Sequence, residues 1–114
     1  MEIPTINETM SPQVFYILLA LTDKTLHGYG IRDQVAHDSR GTVVMATGTV
    51  YILLKRLVLK GWIAGVAAVD RPKVTSRYEL TALGWRNLEV EVRRIQEVAE
   101  IARYKMTGRI KLRH

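Results

Sequence analysis

Residues 47–61 read Thr47-Gly48-Thr49-Val50-Tyr51-Ile52-Leu53-Leu54-Lys55-Arg56-Leu57-Val58-Leu59-Lys60-Gly61, and a helix built from them has two faces of opposite character. Val50, Leu53, Leu54 and Leu57 recur at helical spacing and make a stripe fit for a core. At ~100° per residue, Gly48, Tyr51, Ile52, Lys55 and Arg56 fall away from that stripe, together with Leu59. Thr47 is placed to cap the helix and Gly61 to close it. An isoleucine between a tyrosine and two cations is unusual on a face meant only for water. Directly downstream, 62–69 and 74–80 are rich in β-branched and small residues and are separated by Asp70-Arg71-Pro72-Lys73, which predicts a β-hairpin. In its second strand Val74, Ser76, Tyr78 and Leu80 share one face, and Thr75, Arg77 and Glu79 the other.

Upstream, Ser11-Pro12 supplies a cap and a first-turn proline, and Val14, Ile17, Leu18 and Leu21 follow at i, i+3, i+4, i+7. The pattern predicts a first helix ending near Asp23, then a short turn, Lys24-Thr25-Leu26. A second helix opens at His27-Gly28-Tyr29, with Ile31 and Val35 one turn apart on its buried side, Arg32, Asp33 and Asp38 towards water, and Gly41 ending it. After the hairpin, Thr81 caps the longest helix, from Ala82 to about Lys105, roughly 35 Å of rise. Leu88, Val92, Ile95, Ala99, Ala102 and Met106 repeat along it in a heptad seam flanked by Arg93, Arg94, Glu97, Glu100 and Arg103. A helix that projects beyond a three-helix core has no intramolecular partner for so long a seam, so a homodimer is expected. The alternative folds it back onto the first helix. The fold expected is mostly α with a small β-hairpin: a winged helix-turn-helix over 1–81, a dimerisation helix over 82–106 and a basic tail over 107–114.

Composition bounds the function. The 114 residues, 47% apolar and 25% charged, suit one globular domain. The absence of cysteine excludes a disulfide frame, a thiolate nucleophile and cysteine-ligated metal. The longest uncharged stretches, 11–22 and 41–54, fall short of the ~20 apolar residues of a membrane helix, and the N-terminus lacks a signal-peptide pattern, so a soluble cytoplasmic protein that does not engage a membrane is expected. His27, His37 and His114 share no metal-ligand spacing, and neither a phosphate-cradling glycine loop nor a nucleophile motif is present, so we expect no metal, no cofactor and no enzyme. Seventeen Lys and Arg stand against eleven Asp and Glu, unevenly placed. Residues 1–46 carry three basic and five acidic groups, 47–81 six and two, and 82–114 eight and four. Two basic zones suit a polyanion, whose released counterions drive binding.

His27-Gly28-Tyr29, Gly48-Thr49-Val50-Tyr51, Leu54-Lys55-Arg56-Leu57, Lys60-Gly61-Trp62-Ile63 and Arg77-Tyr78-Glu79-Leu80-Thr81-Ala82-Leu83-Gly84 occur in this order over roughly 14–105. On these motifs the chain resembles the PadR family of bacterial transcriptional regulators, in particular the small subgroup with one C-terminal dimerisation helix. Val50 stands where the family often has leucine, and the hairpin tip is poorer in glycine and arginine than is common. The resemblance implies a repressor that binds double-stranded DNA and is released by a small aromatic or cationic effector, and the two-fold axis of the expected dimer implies a pseudo-palindromic operator. It implies that Tyr51 donates to a phosphate, and that His27 and Tyr29 pack the helix-turn-helix, with one phosphate contact.

The residues themselves add candidates for the DNA contact. Thr47, Gly48 and Thr49 lie where N–H groups and hydroxyls could grip a phosphate, or simply cap. Tyr51 is otherwise a partly buried aromatic. Ile52 and Lys55 lie on the outward arc, fit for a thymine methyl and a guanine edge. Arg56 suits a phosphate or a surface ion pair; Arg71 and Lys73 suit a minor groove or backbone, or solubility alone. Phe15, Tyr16 and Trp85 line an apolar effector slot at the dimer interface, or belong to the core. A rival reading keeps the fold and gives it to a protein-interaction module that does not bind DNA, separable by its weak response to salt.

Overall fold

Ser11 Oγ accepts the Val14 N–H at 3.2 Å and Pro12 fills the first turn, so α1 (Pro12–Ala20) starts where its cap dictates. The computed structural model describes residues 10–67, 70 and 75–113. Helix α1 ends at Ala20, short of the expected Asp23. The Leu21 and Thr22 N–H groups turn to the carbonyls of Leu18 and Leu19, at 3.0 and 3.2 Å, and the Thr22 hydroxyl donates to Leu19 as well. This tightened i→i−3 pattern closes a helix rather than extending it.

Helix α2 (Gly28–Asp38) buries Ile31 and Val35, as its spacing predicts. Its exit uses two successive left-handed residues, Arg40 (φ 53) and Gly41 (φ 79), and the Gly41 N–H returns to the Ala36 carbonyl at 2.8 Å. The buried Ser39 hydroxyl accepts the Val43 N–H at 2.9 Å, fixing the connection to the next helix.

Helix α3 (Thr47–Lys60) places Val50, Leu54 and Leu57 in the core and Leu53 at its edge. It closes at Gly61 (φ 77), where the Trp62 N–H reaches back to the Leu57 carbonyl at 3.0 Å. A side chain at that φ is strained, so Gly61→Ala should lower the unfolding free energy by about 1 kcal/mol. Urea denaturation at constant m-value measures this; an unchanged midpoint would contradict the left-handed cap.

Strands β1 (Ile63–Ala67) and β2 (Thr75–Leu80) pair antiparallel, Ile63 opposite Leu80 and Gly65 opposite Tyr78, with a register shift between Val66 and Ala67. The expected turn Lys24-Thr25-Leu26 holds a further piece of sheet. Leu26 and Tyr78 exchange backbone hydrogen bonds of 3.3 and 2.9 Å, and Arg77 Nη1 donates to the Thr25 carbonyl at 3.0 Å. One bridging residue leaves no alternation in sequence to detect.

Helix α4 (Ala82–Arg113) is held to the hairpin base by Thr81. Its hydroxyl accepts the Gly84 N–H at 3.0 Å and donates to the Gly61 carbonyl at 2.6 Å, while its N–H donates to the Trp62 carbonyl at 3.1 Å. The helix passes its expected end near Lys105, so 107–113 continues the helix rather than leaving it as a tail. At ~1.5 Å per residue its rise is about 48 Å, and the molecule measures 66 × 41 × 23 Å. Among the described residues, α4 joins the core through its first third, where Leu88 belongs to one cluster with Ile17, Leu18, Ile31 and Leu54. Beside Leu88, Glu91 is 7% exposed and its carboxylate takes a two-pronged hydrogen bond from Arg94, at 3.1 and 2.7 Å. That carboxylate holds the Arg94 guanidinium above its ordinary value.

Candidate nucleic-acid interface

Because its stripe is spent on the core, α3 turns Gly48, Tyr51, Ile52, Lys55, Arg56 and Leu59 outward. Tyr51 is 44% exposed, Ile52 59% and Leu59 79%. No Asp or Glu occurs from residue 39 to residue 69, so nothing in this segment offsets Lys55 and Arg56. Arg71 and Lys73, the expected cations of the hairpin tip, lie outside the described residues.

Two of the expected groups are held by α2. Thr47 does not cap α3: the cap is Ala46, without a side-chain bond, and Thr47 is the first helical residue. Its hydroxyl instead accepts from Arg32 Nη1 at 2.9 Å. Threonine one residue inside the helix can no longer fold its hydroxyl onto the N2 or N3 amide, which frees it for the neighbouring helix. Tyr51 lies over Gly28, which is buried; a Cβ there would overlap the tyrosine's hydroxyl and Cζ. The glycine of His27-Gly28-Tyr29 is thus the slot for an aromatic of α3. Tyr78 closes the same corner from β2. Burial pushes its hydroxyl above the ordinary value, and the neighbouring Tyr51 adds to the shift. Tyr29 stands exposed beside His27, ring centroids 6.4 Å apart. Thr49 is half-buried. The helical spacing alone places Arg32 among the solvated groups; its partner lies 15 residues away on another helix, beyond the reach of any local pattern.

The heptad seam divides. Leu88 is 5% exposed in the core of its own chain and Val92 packs against that core, whereas Ile95, Ala99, Ala102 and Met106 are exposed. Val98 and Ile101 are exposed beside them. Phe15 and Tyr16 pack on the core, edge to face with centroids 5.3 Å apart, and Trp85 is half-exposed at the start of α4. A depression of about 380 Å³ lies elsewhere, between the end of α1 and the second half of α2, and is lined by Leu19, Thr22, Asp23, Lys24, Gln34 and Asp38. None of the three aromatics lines it. Among the described residues no group of His, Asp and Glu is placed to hold a metal ion, and no helix is long and apolar enough to cross a membrane.

Residues 17–90, from α1 into α4, match the transcriptional regulator PadR-like family. The chain belongs to that family. No protein of curated function matches its sequence. Among solved structures it is similar to a PadR family transcription regulator from hypervirulent Clostridium difficile, with 24% identity and a TM-score of 0.68 over 84% of this chain and 99% of that one. A PadR-like transcriptional regulator from Bacillus cereus gives 21% and 0.65 over 82% and 89%. Bacillus subtilis PadR, solved in complex with operator DNA, gives 23% and 0.62 over 75% of this chain and 48% of that one. At these identities the likeness is one of fold. As in its PadR-like neighbours, three helices, a hairpin and a long final helix follow in order here. The family motifs now have physical occupations: Gly28 seats Tyr51, Gly61 turns α3 into the hairpin, and Gly84 lets α4 approach the Trp62 carbonyl.

Proposed function

We propose that this PadR-family chain is a sequence-specific DNA-binding repressor that works as a homodimer. Helix α3 enters the major groove, with Ile52 and Lys55 facing base edges and Thr47, Gly48, Thr49, Tyr51 and Arg56 facing the backbone. Tyr29 and the cations Arg71 and Lys73 add backbone contacts. The observation that carries this reading is the outward arc of α3, apolar and cationic together in a segment free of acid. The operator complex of Bacillus subtilis PadR supports it by likeness of fold. Dimerisation is supported by the exposed apolar residues of α4 from Ile95 onward, which none of the described residues covers. The repressor role rests on family resemblance, and release by a planar aromatic effector on that resemblance and the half-exposed Trp85 indole.

Selection from a random duplex pool with purified protein tests this. The expected product is a two-fold motif with half-sites about one helical turn apart, bound by a species of twice the chain mass and weakened steeply by salt. A monomer that enriches no motif and shows no salt-dependent binding to duplex would favour the protein-interaction reading.

A further inference from the structure

Helices α2 and α3 touch at two rungs. Gly28 and Arg32 stand one turn apart on α2; Tyr51 and Thr47 stand one turn apart on α3; Gly28 meets the Tyr51 ring and Arg32 meets the Thr47 hydroxyl. Arg32 therefore shares an edge with two groups that the proposed function sets against the DNA backbone. Its side chain is 42% exposed, and its guanidinium gives one hydrogen bond to Thr47. The neighbouring Asp33 carboxylate is 3.8 Å from Nε and 75% exposed, too far for a hydrogen bond and well screened by water. The guanidinium's remaining donors, fixed in a planar fork, match the geometry of a phosphate.

We infer that Arg32 is a phosphate-contacting residue: held in place by the Thr47 hydroxyl, it extends the backbone-facing edge of α3 onto α2. The inference rests on the DNA-binding reading above. In a helix-turn-helix the helix before the reading helix crosses the backbone, which is where a cation on this edge of α2 would lie. Thr47 orients the fork from one side, so less rotamer freedom is lost when the phosphate arrives.

The test is the salt dependence of binding to a fluorescent random-sequence duplex, followed by anisotropy. Wild type should show a steep linear fall of log K with log salt. Arg32→Gln, which keeps an amide donor beside Thr47 and loses the charge, should flatten the slope by about 0.9 per bound protomer, as should Arg32→Ala. Arg32→Lys should restore most of it. Arg86→Gln, an equal charge loss on the exposed side of α4, should leave the slope unchanged, and all four variants should keep the wild-type melting temperature. A wild-type slope in Arg32→Gln would overturn the inference, since a merely positioning arginine would act through the hydroxyl. Equal flattening in Arg86→Gln would overturn it too, by making net charge the cause. Failure of the DNA-binding reading itself looks different: wild type would then show no salt-dependent binding at all.

Discussion

Gly84→Ala should lower the unfolding free energy by about 2–3 kcal/mol, although alanine is the better helix former by ~1 kcal/mol. Gly84 occupies the first turn of α4, and a Cβ built on it meets the Trp62 carbonyl carbon at 2.9 Å and overlaps the oxygen, with Leu80 Cδ1 at 3.0 Å on the other side. A flexible side chain could move aside; this carbonyl cannot. It already accepts the Thr81 N–H at 3.1 Å, and Thr81 is tied in turn to Gly61 at 2.6 Å. Relief therefore requires α4 to back away from the hairpin base, taking Leu88 out of the core. Gly48→Ala is the matched control. Nothing lies within 4 Å of its Cβ position, so its stability should hold or rise by up to ~1 kcal/mol. Urea unfolding of both variants measures the difference, and equal midpoints would contradict the close approach of α4 to the hairpin.

Most of this frame is legible in the sequence, because it depends on local periodicity. The stripe of Val50, Leu53, Leu54 and Leu57 placed α3, and Thr81 before Ala82 placed the start of α4, since each signal lies within one turn of what it specifies. The features that escaped are made by distant or very short contacts. Leu26 joins the sheet through one residue, and Arg77 seals that junction onto Thr25 from 52 positions away. Leu88 shows a different limit. A heptad repeat states that one face of a helix is apolar, not whose atoms cover it, and the first two seam residues are used by their own chain. At the candidate site the outward arc of α3 was legible from the same periodicity. The bracing of Thr47 by Arg32 and of Tyr51 by Gly28 was not, because helix crossing places those pairs together.

Lys55→Ala and Ile52→Ala should each weaken base discrimination while leaving the fold intact. Both residues are exposed and outside the core cluster, so neither truncation opens a cavity, unlike Leu54→Ala, whose fully buried side chain is expected to cost about 2–5 kcal/mol of stability. A lysine bonded to a guanine edge, or a methyl-to-methyl contact with thymine, contributes roughly 1–3 kcal/mol of preference for the right base. On a duplex enriched by selection, each variant should thus lose about ten- to a hundredfold of its advantage over a shuffled duplex. The two substitutions separate charge from reading. Lys55→Ala also removes a cation and should weaken binding to the shuffled duplex slightly, with a shallower salt slope, whereas Ile52→Ala removes no charge and should leave that affinity where it was. Competition titrations of the two duplexes at one salt concentration provide the ratio. Were both variants to keep the wild-type ratio with unchanged melting temperatures, sequence would have to be read elsewhere on the molecule, and the outward arc of α3 would be a backbone-binding or protein-binding surface.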